Sequence, residues 1–265
     1  MKIFVVGKGC MKENKIMSEH RIYEKKHDIN TTNTKDFYNE RAKMLAEMDN
    51  PYVTVLLGDQ NPDCAAQWNK FEKEYILPQL KVDKDSAVLD IGCGIGRWAE
   101  SVIPLAGYYF GADFSEEMVK TARNRCSNGG NCTFYNASFN EIAEKDENFF
   151  QRKFNRVIIG GVCMYINDKD LESGLKGFVK HLDEHCIMYL TETVAVETRL
   201  TLDRFPSEAL KTDYDVIYRT PDEYNEYYKI LTEAGFRIVK QDFLPHLNDD
   251  KQYSETDRWY SIFER

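Results

Sequence analysis

The chain has 265 residues, 42% hydrophobic and 30% charged, which suits one α/β domain with a small substrate-binding addition. No apolar run approaches the ~20 residues of a bilayer span. The short run Ile3–Val6 is followed at once by Lys8 and Lys12, so neither a membrane anchor nor a secretory leader is expected, and a cytoplasmic setting is. The net charge of −9 is uneven, with eight Lys/Arg against four Asp/Glu in residues 1–35 and −13 on the remainder. So acidic a body repels a phosphate backbone, which argues against a nucleic-acid partner. Seven cysteines, odd in number and without a C-x-x-C pair, argue against a disulfide framework and against a metal site.

Residues 1–33 combine mixed charge with few apolar positions and are expected to form a flexible basic tail. A helix is predicted from near Thr34 or Asp36, either of which can cap it, until Asn50-Pro51 ends it. A second fits Pro62 to Leu77, where Ala65, Trp68, Phe71, Tyr75 and Ile76 recur at helical spacing. Residues 34–80 thus form a helical N-terminal unit ahead of a domain over 81–265.

From Ala87 onward, short apolar strands alternate with helices. Strands are predicted at 87–91, 108–112, 132–135, 156–159 and 186–191, with helices from Arg97, from a Ser115 cap and over 168–181. A helix over 222–234, terminated by Gly235, precedes a closing strand pair at 236–242 and 258–263. Such alternation implies an α/β fold with a Rossmann-like, doubly wound, mainly parallel sheet. The segment of about 192–220 has no evident place in that sheet and is expected to be an insertion covering the substrate.

The stretch Val88-Leu89-Asp90-Ile91-Gly92-Cys93-Gly94-Ile95-Gly96-Arg97 is a strand running into a G-x-G-x-G turn that opens a helix. A dinucleotide fingerprint reads G-x-G-x-x-G and aims a helix N-terminus at a pyrophosphate. Here the third glycine comes one position early, and Asp90 stands two residues before the first. A carboxylate there opposes an anion cradle and suits a cationic ligand end such as an ammonium. Arg97, after the turn, reads as a solvated or salt-bridged arginine.

The run VLDIGCGIGR resembles the signature of class I S-adenosylmethionine-dependent methyltransferases, and later segments resemble that family in order over residues 86–190. The resemblance implies a seven-stranded sheet with a final antiparallel strand and S-adenosylmethionine as cofactor, released as S-adenosylhomocysteine. It implies that Asp90, Gly92 and Gly94 hold the methionine side and that Asp113 grips the ribose hydroxyls. Phe114 and Met118 would line the adenosine pocket, and Ser138 and Phe139 fall where adenine is recognised. An acid is common at position 138, so Ser138 leaves that contact weaker or to backbone groups. Ile159 and Gly160 belong to the strand end that flanks the methyl group. Phe37-Tyr38-Asn39-Glu40-Arg41 is similar to the lid helix of small-molecule methyltransferases, which implies that Tyr38 and Arg41 close over the cofactor, Arg41 on its carboxylate, with Trp68 in the same lid.

A methyl acceptor with a hydroxyl needs a general base within hydrogen-bond reach. Tyr165, Glu192 and His246 are candidates by placement. In the covering segment, Arg199, Arg204, Tyr214 and Tyr218 are candidate substrate residues, and its arginines hint at a carboxylate or phosphate on the acceptor. The expected acceptor is an oxygen or nitrogen of a small metabolite, phosphorylated or nucleotide-linked ones included, of the kind used in surface-polysaccharide or natural-product biosynthesis. A non-catalytic S-adenosylmethionine-binding partner protein and a protein methyltransferase remain as alternatives.

Overall fold

Apolar side chains alternate along the first predicted strand, and the alternation decides which layer each residue joins. β2 (Ala87–Ile91) sends Leu89 and Ile91 to one face of a sheet and Val88 to the other; β3 (Tyr108–Asp113) likewise divides Phe110 and Ala112 from Tyr109. The computed structural model describes residues 19–48, 50–56, 62–126, 131–207, 210–247 and 255–265. β4 (Cys132–Asn136), β5 (Phe154–Gly160), β6 (Leu182–Ala195), β9 (Arg237–Phe243) and β10 (Thr256–Glu264) complete a seven-stranded sheet ordered β4-β3-β2-β5-β6-β10-β9. Strands β2 to β6 pair in parallel, and β10 runs antiparallel to both of its neighbours, the Rossmann-like arrangement expected. After β2 the chain builds outward to β3 and β4, then returns to place β5 on the other side of β2. That reversal opens a crevice at the strands' carboxyl ends, where such sheets bind ligands.

One face of the sheet is covered by α6 (Phe139–Glu144), α7 (Asp168–Phe178) and α8 (Pro221–Glu233), the other by α3 (Pro62–Leu80), α4 (Ala99–Val102) and α5 (Glu116–Cys126). α1 (Thr31–Lys43) and the single turn α2 (Val53–Leu56) lie above the carboxyl ends, with Tyr38 and Val55 lining cavities there.

Two expectations need correction. The part of the expected flexible tail that is described is ordered: β1 (Arg21–Tyr23) pairs with β7 (Leu200–Ser207), and α1 begins at Thr31 because Asn30, in extended conformation, accepts the Thr32 N–H. Residues 1–18 of that tail lie outside the described residues. The segment 192–220 is not a loop without a sheet role. β7 and β8 (Thr212–Tyr218) form with β1 a three-stranded antiparallel sheet, whose Leu200, Leu202, Tyr214 and Val216 pack on Tyr38 and Ala42 of α1 in a core of their own. No helix among the described residues is long and apolar enough to cross a membrane.

Candidate active site

The chain leaves β2 through Gly92, Gly94 and Gly96 at φ of +72°, +52° and +84°, a region costly to residues with a Cβ. Space matters as much as torsion here, since a Cβ on Gly92 would meet Val162 Cγ2 at 2.2 Å and one on Gly94 would meet Val55 Cγ1 at 2.7 Å. The amides of Gly92 and Cys93 donate to the Ala112 carbonyl at 2.7 and 3.0 Å, tying the turn to the end of β3. There Asp113 accepts from Gly94 N–H through Oδ2 and from Ser115 N–H through Oδ1, both at 2.9 Å. Burial raises the Asp113 carboxyl to about 6, against the pull of those two amides.

Two cavities meet over this turn. The larger, about 480 Å³, is lined by Asp113, Phe114, Met118, Ser138 and Phe139. The smaller, about 270 Å³, is lined by Asp90, Trp68, Glu192, Tyr214, Tyr218 and His246. Gly92, Gly94, Gly160, Tyr38 and Tyr165 belong to both walls. Residues spread from 38 to 246 thus converge, because β2, β3 and β5 end side by side and both α1 and the second sheet pack above them.

The smaller cavity is rich in buried carboxylates and phenols. Asp90 is 1% exposed; burial raises it to about 7, and it accepts from the Tyr109 hydroxyl at 2.5 Å. Glu192, also raised to about 7 by burial, accepts the backbone N–H groups of Val162, Cys163 and Met164 at 3.2, 2.9 and 3.2 Å. It therefore fixes the turn after β5 that carries Tyr165. The Tyr38 hydroxyl donates to Tyr165 at 2.8 Å, and the Tyr165 hydroxyl lies 2.6 Å from that of Tyr214. Burial pushes Tyr38 up to about 12 and Tyr165 and Tyr214 well above the usual phenol range, so all three stay protonated near neutrality. His246 Nε2 is 3.1 Å from Asp257 Oδ2, and the guanidinium of Arg258 lies 4.0 Å over the Trp68 ring.

Five sequence assignments meet a different environment. Ile159 is fully buried in the sheet core and lines neither cavity; strand alternation turns it away while Gly160 reaches both walls. Arg41 donates to the Thr54 and Val53 carbonyls at 3.1 and 2.5 Å, so it braces α2 rather than a ligand. Arg199 is 4% exposed and bound to Asp168 and Glu223, both at 3.0 Å. Arg204, at φ +48° in the bulge of β7, points its largely exposed side chain elsewhere. Ser138 caps α6 in a reciprocal pair with Glu141, which spends its hydroxyl and its amide locally although it borders the larger cavity. Sequence reasoning missed Glu72, Gly161, Asp257 and Arg258 on the smaller cavity's wall. Only Gly161, at φ +66° beside Gly160, left a signal in the sequence, as a Gly-Gly pair at a strand end. Arg97 is salt-bridged, to Glu72 at 2.7 Å, yet it lines the smaller cavity as well.

Residues 88–185 match a family model described as a methyltransferase domain. Phosphoethanolamine N-methyltransferase 1 of Zea mays is 24% identical over 166 residues, which are 62% of this chain and 31% of that protein. The chain therefore spans about a third of the length of that curated relative, and less of the next ones. Among solved structures, Haemonchus contortus phosphoethanolamine N-methyltransferase 1 with phosphoethanolamine and S-adenosylhomocysteine matches at a TM-score of 0.65 and 18% identity, over 89% of this chain and 50% of that one. Magnesium protoporphyrin IX methyltransferase of Synechocystis PCC 6803 matches at 0.58 and 16%, over 89% and 96%. These likenesses carry the fold. With the glycine turn and the order of the sheet, the match over 88–185 makes this chain similar to the class I methyltransferases.

Proposed function

We propose that the chain transfers a methyl group from S-adenosylmethionine to a nitrogen or oxygen of a small metabolite. The observation that carries this reading is the junction of the two cavities: one is lined by Asp113, Phe114 and Met118, the other by Asp90, Glu192 and tyrosines, and the glycines of the turn separate them.

The residues present fit such a cofactor. Each oxygen of Asp113 accepts one amide, which leaves lone pairs for ribose hydroxyls, and Gly92 and Gly94 present bare backbone to both cavities where neighbouring side chains leave no room for a Cβ. Phe114 and Met118 offer apolar surface to adenine, and Asp90 offers a carboxylate to an ammonium. When bound, S-adenosylmethionine supplies an activated methyl group on a sulfonium. The protein's own tasks are to align an acceptor and exclude water, and alignment alone is worth up to ~7–11 kcal/mol in favourable cases. Tyr38 and Tyr165 close the junction and keep water out. Glu192, raised to about 7, is suited to accept a proton near neutrality. Tyr165, held protonated between Tyr38 and Tyr214, orients the acceptor by hydrogen bonding rather than taking its proton. His246 with Asp257 is the second proton acceptor on that wall.

The relatives named above act on small molecules, phosphoethanolamine among them, which supports the substrate class. The carboxylate or phosphate expected from the sequence rested on Arg199, Arg204 and Arg219, and none of the three lines either of the two cavities. A cytoplasmic setting remains part of this reading. The test is formation of S-adenosylhomocysteine from S-adenosylmethionine with a panel of small amines, alcohols and phosphorylated metabolites. Turnover with any of them, lost in Glu192→Ala, supports the reading. Cofactor binding without turnover across the panel favours a non-catalytic binding partner.

A further inference from the structure

The end of β6 and the start of β10 lie side by side on the wall of the smaller cavity, and their register decides which charges share a face. Glu192 pairs with Trp259, and Val194 with Asp257. Cross-strand partners stand on the same face of a sheet, so Glu192 and Asp257 are diagonal neighbours on one face, about 7–8 Å apart. Their companions there, Val194 and Trp259, pack into one layer of the core. Arg258, opposite Thr193, belongs to the other face, where its guanidinium stacks 4.0 Å over the Trp68 ring. Strand pairing thus turns two carboxylates one way and the neighbouring cation the other.

Both carboxylates keep room for a further donor. Glu192 takes two amides on Oε1 and one on Oε2, which leaves a lone-pair position on Oε2. Asp257 Oδ1 takes the Arg258 N–H at 2.8 Å, and Oδ2 faces His246 Nε2 at 3.1 Å. Of the other charges on this wall, Arg97 is bound to Glu72 at 2.7 Å, and Asp90 is the carboxylate assigned above to the donor's ammonium. Tyr214 and Tyr218 line the same cavity, and aromatic rings attract cations. A separate observation marks the cavity as a place for a polar ligand. The indole N–H of Trp98, a side chain 3% exposed on this wall, finds no acceptor among the described residues, and buried donors are nearly always satisfied.

We propose that Glu192 and Asp257 together select an acceptor that enters as a protonated amine carrying no phosphate, with Asp257 as the specificity-determining residue. The inference rests on the function proposed above and narrows it from nitrogen or oxygen to nitrogen. Asp257, beside the part-exposed His246, draws the ammonium in, and Glu192 takes one proton from it. The freed lone pair is then the nucleophile. Its N–C bond forms as the methyl's C–S bond breaks, the electron pair stays on sulfur, and the positive charge passes to nitrogen. A phosphate on the acceptor would bring its negative charge against the same two carboxylates, where burial strengthens the repulsion.

The test is calorimetric titration of three probes of similar shape into the chain saturated with S-adenosylhomocysteine. Choline carries the cation, 3,3-dimethylbutan-1-ol has carbon in place of its nitrogen, and phosphocholine adds a phosphate. Choline should bind about tenfold tighter than either of the others. Asp257→Asn should weaken choline about tenfold and erase most of that preference, while S-adenosylhomocysteine binds as before. His246→Ala, which leaves Asp257 in place, should not weaken choline. Equal binding of choline and the neutral alcohol, a preference for phosphocholine, or no binding of any probe to the saturated chain overturns the inference. So does an Asp257→Asn chain that binds choline unchanged. Failure of S-adenosylhomocysteine itself to bind removes the methyl-transfer reading instead, and the three probes titrated into the free chain then decide the charge preference of the cavity.

Discussion

The hydroxyl of Tyr38 in α1 meets that of Tyr165 in the turn after β5 at 2.8 Å, and Tyr165 in turn lies 2.6 Å from Tyr214 of β8. One buried point therefore joins α1, the main sheet and the small second sheet. All three hydroxyls lie where both cavities or the smaller one pass. Removing the Tyr38 hydroxyl should loosen the lid without emptying the core, because the ring of Tyr38 still packs on Phe37 and Phe114. Tyr38→Phe is expected to cost about 0.5–1.5 kcal/mol of stability and to raise amide exchange along α1. Unchanged exchange in α1, measured by mass spectrometry, would show that the hydroxyl contact does not hold the lid.

Asp90, Asp113 and Glu192 are raised by burial to about 7, 6 and 7, so in the folded chain they bind protons that the unfolded chain, with carboxyls near ~4, has released. Their contribution to stability is full below about pH 4 and is lost as pH rises through 6 to 7. His181, lowered by burial to about 4, works in the opposite sense over pH 4 to 6.5, one group against three. The ligand-free chain should therefore melt at a lower temperature at pH 7.5 than at pH 5.5. Affinity for the cationic cofactor should move the other way, rising as the carboxylates ionise. A melting temperature that climbs across this range would contradict the burial argument.

Arg199 and Arg219 converge on Asp168 at 3.0 and 2.7 Å, and their guanidiniums overcome the effect of burial to hold that carboxyl at about 2. Arg219 also donates to the carbonyls of Cys163 and Ile166 at 2.8 and 2.6 Å, so the cluster props the turn that carries Tyr165. Arg199→Ala leaves Asp168 and Glu223 short of a partner and should cost about 3–5 kcal/mol in chemical denaturation. Arg204→Ala, on an exposed bulge, should stay within about 0.5 kcal/mol of the parent. Neither should change cofactor affinity in the chain that remains folded; a large loss of affinity in Arg204→Ala would return it to the binding site.

Gly92 combines φ +72° with a Cβ position 2.2 Å from Val162 Cγ2. Gly92→Ala must strain the turn or displace Val162, at a cost of about 1–3 kcal/mol for the torsion alone. The expected result is a destabilised chain with greatly weakened cofactor binding. Wild-type affinity in this variant would mean that the turn has more slack than its geometry implies.

The parts legible in the sequence were those set by local rules. Period-two apolar runs located β2 to β6, and the G-x-G-x-G spacing after an acid located the crevice, because only glycine tolerates that turn. β1 was missed since three residues, Arg21 to Tyr23, form a strand only by pairing with residues nearly 180 positions later. The arginines of 199–219 misled for a related reason. Their residue type suits anion binding equally well inside a buried ion cluster, and the choice between the two depends on Asp168 and Glu223 arriving from other helices. Arg97 was legible as a salt-bridged arginine, but its partner was not, because Glu72 reaches it only once α3 packs against the turn after β2.

Calorimetric titration of S-adenosylmethionine and S-adenosylhomocysteine into the purified chain, with Asp113→Ala and NAD as controls, tests the central claim most directly. Micromolar binding of both ligands, lost in Asp113→Ala and absent for NAD, is the expected result. A folded chain that binds neither ligand would contradict the account and leave the glycine turn and Asp113 without the cofactor their geometry fits.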